Sequence, residues 1–429
     1  MEISKPIREN SFAIYGLGLS GTSVYKFLKK QKIKKIYTWD DKKNLKNKKK
    51  FNFFFKVLND VDYIVISPGI NIKKTKFKSI LLKNREKIIT DLDLFYMQKI
   101  PVKSIVITGT NGKSTTSKLI QHILRANKVD AQLGGNIGKP ILDLKIKKKS
   151  IVIIEASSFQ LTYTKFIKPT FALILNIVKD HLDWHNTMAN YKDSKFKIFS
   201  KQDKKDYALL NNKKLINIFH KNNFLSKLKI VKKNFLNNSV KKNITNEYLL
   251  SKPNEENLSF VFKLATMLKI KKKIFFRAIN SFKGLAHRHE IFYKKSGITF
   301  INDSKATSFE ATKHALKSNQ NIFWIVGGLP KLGDKFNVKS VSKNIIKTFI
   351  IGKKTNYFKN QIGKEIKYKI SFNLKNALKD IFKELRLIKK SKVTVLLSPA
   401  SASYDQFNNF VDRGNQLKKM TMNYARKFL

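Results

Sequence analysis

One short run, residues 104–116 (SIVITGTNGKSTT), holds glycine, lysine and hydroxyl side chains in an order that suits a triphosphate. An apolar strand is expected to run into Gly109, Thr110, Asn111 and Gly112, and a helix carrying Leu119, Ile120, Ile123 and Leu124 to leave it. In that geometry backbone N–H groups and the helix N-terminus face an anion. Lys113 reaches the outer phosphates, and Ser114 or Thr115 can hold magnesium. Ile107 occupies the place of the first glycine in the usual G-x-x-x-x-G-K spacing, so the loop is a variant. A plain glycine turn with a surface lysine is the bland alternative; placement between strand and helix speaks for phosphate binding.

Two further groups follow that loop. Glu155 ends the apolar run IVII and precedes Ala156-Ser157-Ser158-Phe159-Gln160. A carboxylate at the end of a strand beside the phosphate-loop strand is where a magnesium ligand sits in enzymes of nucleoside triphosphates. His181, Asp183 and His185 (H-x-D-x-H) then suggest a polar loop, a zinc hydrolase site or a magnesium site. A phosphate loop on the same sheet favours magnesium. Near the start, Gly16, Gly18 and Gly21 (GLGLSG) follow the strand FAIY, with Asp40 closing the next strand. Alone this is the dinucleotide fingerprint, yet a nucleotide here can equally be the handle of a substrate.

Such sites need parallel sheets to hold them. Near-continuous apolar runs at 12–15, 36–39, 63–67, 104–108, 151–154, 172–175, 322–326, 349–351 and 393–397 alternate with amphipathic stretches. That pattern predicts parallel strands covered on both faces, in at least two α/β domains. Residues 201–251 are rich in Lys and Asn and are expected to be peripheral to a central domain. The 429 residues exceed one ordinary core. There is no apolar run long enough for a membrane span, no signal-peptide pattern in MEISKPIREN, and no cysteine, which together predict a cytoplasmic protein. Lys+Arg number 88 against 29 Asp+Glu, a formal charge of +59. Read naively this is a polyanion binder. The basic residues are spread along the chain beside many Asn, Ile and Phe, however, as in the run 42–50 (KKNLKNKKK), so compositional drift explains the charge better.

Taken in order, TGTNGKST, EASSFQL, NIVKDHLDWH with YKDSK, GLAHR, NDSKAT and LLSPASASYDQF resemble the Mur ligases over essentially the whole chain. GGNIG, EASSFQL and the final motif are most similar to the branch that adds D-glutamate to UDP-N-acetylmuramoyl-L-alanine. No D-N-P-R signature of the diamino-acid branch is present.

The resemblance implies an α/β fold of three domains: an N-terminal Rossmann-like domain (1–92), a central P-loop ATPase-type parallel sheet (93–284) and a C-terminal Rossmann-like domain (285–429). It implies that Gly18, Leu19, Ser20, Asp40, Gly69 and Asn136 bind the UDP substrate, displacing the NAD reading. ATP would be held by Gly109, Thr110, Asn111, Gly112, Lys113, Ser114, Thr115, Asn257, Arg288 and Asp303. Two magnesium ions would be held by Ser114, Thr115, Glu155, His181 and a carbamylated Lys195, and D-glutamate would meet Lys305, Thr307, Lys331, Ser403 and Phe410. Lys113, Glu155, His181 and Lys195 would be the catalytic set of an acyl-phosphate mechanism. A monomer without specific nucleic-acid or membrane partners is expected. Ser401 stands where the family often has cysteine, and GGLPKLGD matches its linker only loosely. A sister ligase or a folylpolyglutamate synthase, adding a different amino acid, is the nearest alternative.

Overall fold

The computed structural model describes residues 7–44, 48–232, 238–250, 252–331, 333–388 and 392–428. The first six residues, part of the lysine run (45–47) and part of the 201–251 stretch (233–237 and 251) lie outside them. The chain divides into two compact units, Met1–Phe282 and Lys283–Leu429. Among the described residues the strands form three sheets, two in the first unit and one in the second.

The first sheet holds β1 (Phe12–Tyr15), β2 (Ile36–Trp39), β3 (Tyr63–Ile66) and β4 (Ile88–Ile89) in the order β2-β1-β3-β4, all parallel. β1 and β3 are buried at every position, as their unbroken apolar runs require. The second sheet holds β5 (Lys103–Thr108), β6 (Ala131–Gly135), β7 (Ile151–Glu155), β8 (Phe171–Ile174), β9 (Tyr207–Leu210) and β10 (Lys227–Ile230). Its order, β10-β9-β8-β5-β7-β6, is again wholly parallel. The stretch expected to be peripheral therefore supplies two strands of the central sheet, at one edge. Two cores flank this sheet. One has Leu119, Ile120, Ile123 and Leu124 against Ile105 and Ile107; the other has Leu161, Ile167 and Phe199 against Val106 and Ile154.

The second unit holds β11 (Glu290–Lys295), β12 (Ile298–Asn302), β13 (Ile322–Gly327), β14 (Ile345–Ile351), β15 (Tyr368–Phe372) and β16 (Val393–Leu397). Their order is β11-β12-β16-β13-β14-β15, with β11 alone antiparallel to its neighbour. No described helix is long and apolar enough to cross a membrane.

In both sheets of the first unit the chain reverses direction beside the first strand: β1 lies between β2 and β3, and β5 between β7 and β8. Crevices for ligands open at the carboxyl ends of strands at such points. GLGLSG follows β1 and TGTNGKS follows β5, so both glycine motifs sit at a switch point.

Within GLGLSG the glycines have different reasons to be glycine. A Cβ on Gly21 would lie 1.8 Å from the Gly16 carbonyl oxygen and 2.9 Å from Ser67 Oγ, whereas one on Gly18 would meet nothing within 4 Å. Gly21 is demanded by the close approach of helix Leu19–Lys30 to the loop, and Gly18 leaves space facing outward. Gly21→Ala should therefore cost about 1–3 kcal/mol of unfolding free energy by overpacking, and Gly18→Ala clearly less. Denaturant unfolding of the two variants checks this, and equal losses would contradict the division.

Candidate active site

The phosphate loop is built as its residues require. Gly112, at φ 84, precedes helix Lys113–Ala126, and a Cβ there would fall 2.0 Å from Asn257 Oδ1. Asn257 thus packs directly on the loop; its amide donates to Asn254 Oδ1 at 3.1 Å. The other side of the loop is held from the end of β8. Thr110 N donates to the Asn176 carbonyl (2.8 Å) and Asn111 N to Asn176 Oδ1 (2.9 Å). The Asn176 amide in turn donates to Glu256 Oε2 (2.8 Å), while Asn211 donates to Glu256 Oε1 (2.7 Å). One carboxylate on helix Lys252–Met267 therefore fixes the ends of β8 and β9 and, through Asn176, the loop.

Two lysines converge on the loop carbonyls. Lys113 Nζ donates to Gly109 O and Thr110 O, both at 2.8 Å. Lys195 Nζ donates to Gly109 O at 2.9 Å and lies 3.4 Å from Thr108 Oγ1 and 4.6 Å from the centre of the Tyr191 ring. The Lys195 side chain is 1% exposed. Burial, reinforced by the charge of Lys113, lowers its pKa to about 6, so the amine is largely neutral at pH 7. Tyr191 shares a 3.0 Å hydrogen bond with Thr110 Oγ1, tying the helix that bears Lys195 (Met188–Phe196) to the loop.

Glu155 closes β7, next to β5, and is buried. Its Oε1 accepts from Asn136 Nδ2 at 2.8 Å, and its Oε2 is buried without a hydrogen-bond partner. A buried carboxylate oxygen without a donor is costly unless a cation completes it. Ser114 and Thr115 are also buried at the head of their helix. Among the described residues no cluster of three His, Asp or Glu side chains is arranged to hold a metal. The donors present, one carboxylate with hydroxyls nearby, suit magnesium, which takes one or two carboxylates and completes its shell from phosphates and water. His181 stands in left-handed conformation (φ 53) at the head of the one-turn helix Leu182–His185, its ring 4.9 Å from Phe159. Partial burial lowers its pKa, with Lys113 and Lys195 contributing, which favours a neutral imidazole. His185 points elsewhere: buried, it shares a 2.9 Å hydrogen bond with Ser158 Oγ.

At the first sheet Leu19 is 85% exposed and Gly18 and Gly69 are open. Asp40 has both oxygens engaged, accepting from Leu17 N (2.8 Å) and Lys42 N (3.0 Å). Whatever else it touches, it shapes the loop that ends in Gly18.

In the second unit the expected residues other than Arg288 follow the carboxyl ends of three adjacent strands, β12, β16 and β13. Asp303 accepts from His289 N (3.0 Å) and Ser398 Oγ (2.7 Å), and burial raises its pKa to about 6. Lys305 Nζ lies 5.7 Å from the Phe410 ring. Ser403 is buried, Thr307 is partly buried and Lys331 is exposed. Ser401, in the family's cysteine position, is buried and donates to Gly327 O at 2.6 Å. Arg288, also partly buried, follows Gly284 in the GLAHR turn. Asn176, Glu256, Tyr191 and the buried Arg413 complete the framework. Sequence reasoning passed over Glu256 and Arg413, because an acid or a base inside a helical pattern carries no chemical signature by itself.

The fold and the loop define a nucleoside-triphosphate-binding α/β enzyme of the Mur type. A model of the Mur ligase middle domain matches residues 107–276. The chain is 33% identical to the UDP-N-acetylmuramoylalanine–D-glutamate ligase of Rickettsia bellii, over 95% of this chain and 96% of that protein. It is also 33% identical to the ligase of the same name from Wolbachia sp. subsp. Brugia malayi, over 98% and 97%. Among solved structures, the UDP-N-acetylmuramate–alanine ligase of Thermotoga maritima superposes with a TM-score of 0.58 at 15% identity, covering 97% of this chain and all of that one (100%). The chain belongs to the family of UDP-N-acetylmuramoylalanine–D-glutamate ligases.

Asp40→Ala removes the acceptor for two loop amides at the first sheet and leaves the phosphate loop untouched. It should raise KM for the nucleotide-sugar substrate severalfold with little change in KM for ATP. Initial rates with each substrate varied check this, and equal shifts in both would refute the division of labour.

Proposed function

We infer that this chain joins D-glutamate to UDP-N-acetylmuramoyl-L-alanine in an ATP-driven, cytoplasmic step of peptidoglycan synthesis. The observation that carries the reading is the convergence of Lys113 and Lys195 on one phosphate loop beside the half-satisfied carboxylate of Glu155, in a chain whose relatives of that name match it end to end.

The chemistry sets the requirements. A carboxylate does not condense with an amine at neutral pH because its oxygen is a poor leaving group. The L-alanine carboxylate of the substrate attacks the γ-phosphorus of ATP, ADP leaves, and an acyl phosphate forms. The amine of D-glutamate then adds to the acyl carbon, loses a proton and expels phosphate. The first step brings anions together, so Lys113 and the loop N–H groups must offset charge on the transferring group. Ser114, Thr115, Glu155, His181 and a carbamylated Lys195 would hold two magnesium ions, which would supply the remaining neutralisation of charge. Asn136, which donates to Glu155 Oε1, orients that carboxylate and stands at the substrate. Asn257 would contact the adenine, and Arg288 and Asp303, in the second unit, are the further residues proposed for ATP.

The handle of the substrate lies against Gly18, Leu19, Ser20, Asp40 and Gly69, where the glycines leave open space. D-Glutamate meets Lys305, Thr307, Lys331, Ser403 and Phe410. We place the domain boundaries at 1–92, 93–284 and 285–429, one sheet to each.

A phosphate-release assay with UDP-N-acetylmuramoyl-L-alanine, ATP and either D- or L-glutamate tests the reading. Release dependent on D-glutamate alone supports it; release with another amino acid instead points to a sister ligase.

Lys195 gives the sharper prediction. Its neutral amine can add to carbon dioxide, forming an N–C bond and losing a proton, which turns a cation into a bidentate oxygen anion. Because the pKa lies at about 6, protonation should block this only as pH falls below that value. Lys195→Ala should lose nearly all activity, and acetate or propionate in the buffer should restore a part of it by filling the vacated anionic position. An almost fully active variant, indifferent to acetate, would remove Lys195 from the site.

A further inference from the structure

The one-turn helix Leu182–His185 that begins at His181 is too short to be stable by itself. Its own turn uses the carbonyls of His181 and Leu182, leaving those of Asp183, Trp184 and His185 at its end. Asn190 Nδ2 donates to His185 O at 2.9 Å. The other two are capped from a different sheet: Lys74 Nζ donates to Asp183 O at 2.7 Å, and Asn71 Nδ2 to Trp184 O at 3.0 Å.

Asn71 and Lys74 belong to the loop after β3 that contains Gly69. The amide of Asn71 is committed at both ends, since its Oδ1 also accepts from Lys73 N at 3.0 Å and starts the turn Ile72–Lys74. The same turn donates Ile72 N to Tyr163 Oη at 3.1 Å, at the end of the helix that follows Glu155. The Trp184 ring lies 5.9 Å from Tyr163 and 4.9 Å from Phe159, and Phe159 lies 4.9 Å from His181.

We propose that Asn71 and Lys74 are positioning residues, through which the loop that meets the uridine diphosphate handle fixes the helix of His181. Occupancy of the handle site thereby sets the catalytic loop of the central sheet. This rests on the ligase reading only for the identity of the handle.

Asn71→Asp tests it cleanly, because the carboxylate keeps the acceptor for Lys73 N and loses the donor for Trp184 O. Lys74→Met removes the second cap from an exposed position, and Lys74→Arg retains a donor. The full chain labelled with 5-fluorotryptophan gives resonances for its 3 tryptophans, that of Trp184 being assigned with Trp184→Phe. Addition of UDP-N-acetylmuramoyl-L-alanine, or of UDP alone, should shift the Trp184 resonance in the parent and in Lys74→Arg. Asn71→Asp and Lys74→Met should lose that shift. Their kcat should fall about tenfold to a hundredfold, the scale of a misplaced catalytic group. KM for the nucleotide sugar should change far less than kcat, with unfolding midpoints close to the parent's. Parental kcat and an unchanged Trp184 shift in both variants would overturn the proposal. Should the parent fail to turn over with D-glutamate, the ligase reading falls instead, and the response of Trp184 to UDP still decides whether the two loops are coupled.

Discussion

A single backbone carbonyl, that of Gly109, accepts hydrogen bonds from two lysines. Two ammonium groups sharing one acceptor repel each other, more strongly where water is excluded. Lys113 is anchored by a second carbonyl on the partly exposed side; Lys195 is the buried member and is the one driven toward the neutral amine. The rest of the site follows from this constraint. The loop must hold its carbonyls steady, hence the clamp from Asn176 and Glu256. The helix of Lys195 must stay close, hence Tyr191 on Thr110. Loss of the Lys195 proton relieves the repulsion and leaves Lys113 as the charged member at the loop.

What could be read from sequence divides along physical lines. β1 and β16 fall on the residues their apolar runs marked, because interior parallel strands are buried on both faces and cannot carry charge. Edge strands are under no such constraint. Lys227–Ile230 (KLKI) and Glu290–Lys295 carry lysines at exposed positions, a common protection against edge pairing, and so look like loop. Glycine motifs were legible because turn geometry admits few residues. The framework around them was not, since Asn176 and Glu256 are 80 residues apart and Asn71 and Trp184 are 113 apart. Asp40 is the instructive case. The resemblance gives it a substrate contact, and its carboxylate also accepts from two backbone amides, a structural role that no spacing announces.

The formal charge of +59 does not reshape the fold. With 29 acids for 88 bases, most lysines have no carboxylate to pair with, and pairs such as Lys168–Asp203 lie on the surface, where solvent screens them and each contributes little. Repulsion among solvated lysines is screened within about 8 Å at physiological ionic strength. Both nucleotide substrates are polyanions, so the field favours their encounter without conferring specificity. The charge is tolerated because the buried positions described, where it is costly, hold almost no lysine or arginine.

Two buried cations mark the boundary of that tolerance, and they differ in a telling way. Arg413, 1% exposed, donates to Ser304 Oγ (3.0 Å), Ser304 O (2.9 Å) and Ser401 O (2.9 Å). Burial lowers its pKa only to about 10, so it stays charged and braces the segments from which Lys305 and Ser403 project. A planar guanidinium distributes its donors over several acceptors at once. Lys195, equally buried, has one good acceptor and an aromatic face, and the charge is not retained. Burial of the charge in Arg413 therefore serves architecture, while burial of the amine in Lys195 leaves it largely neutral. Both are lowered by burial; the guanidinium starts from a higher ordinary value and has Asp405 to favour its charge, whereas Lys195 has the opposing charge of Lys113 beside it.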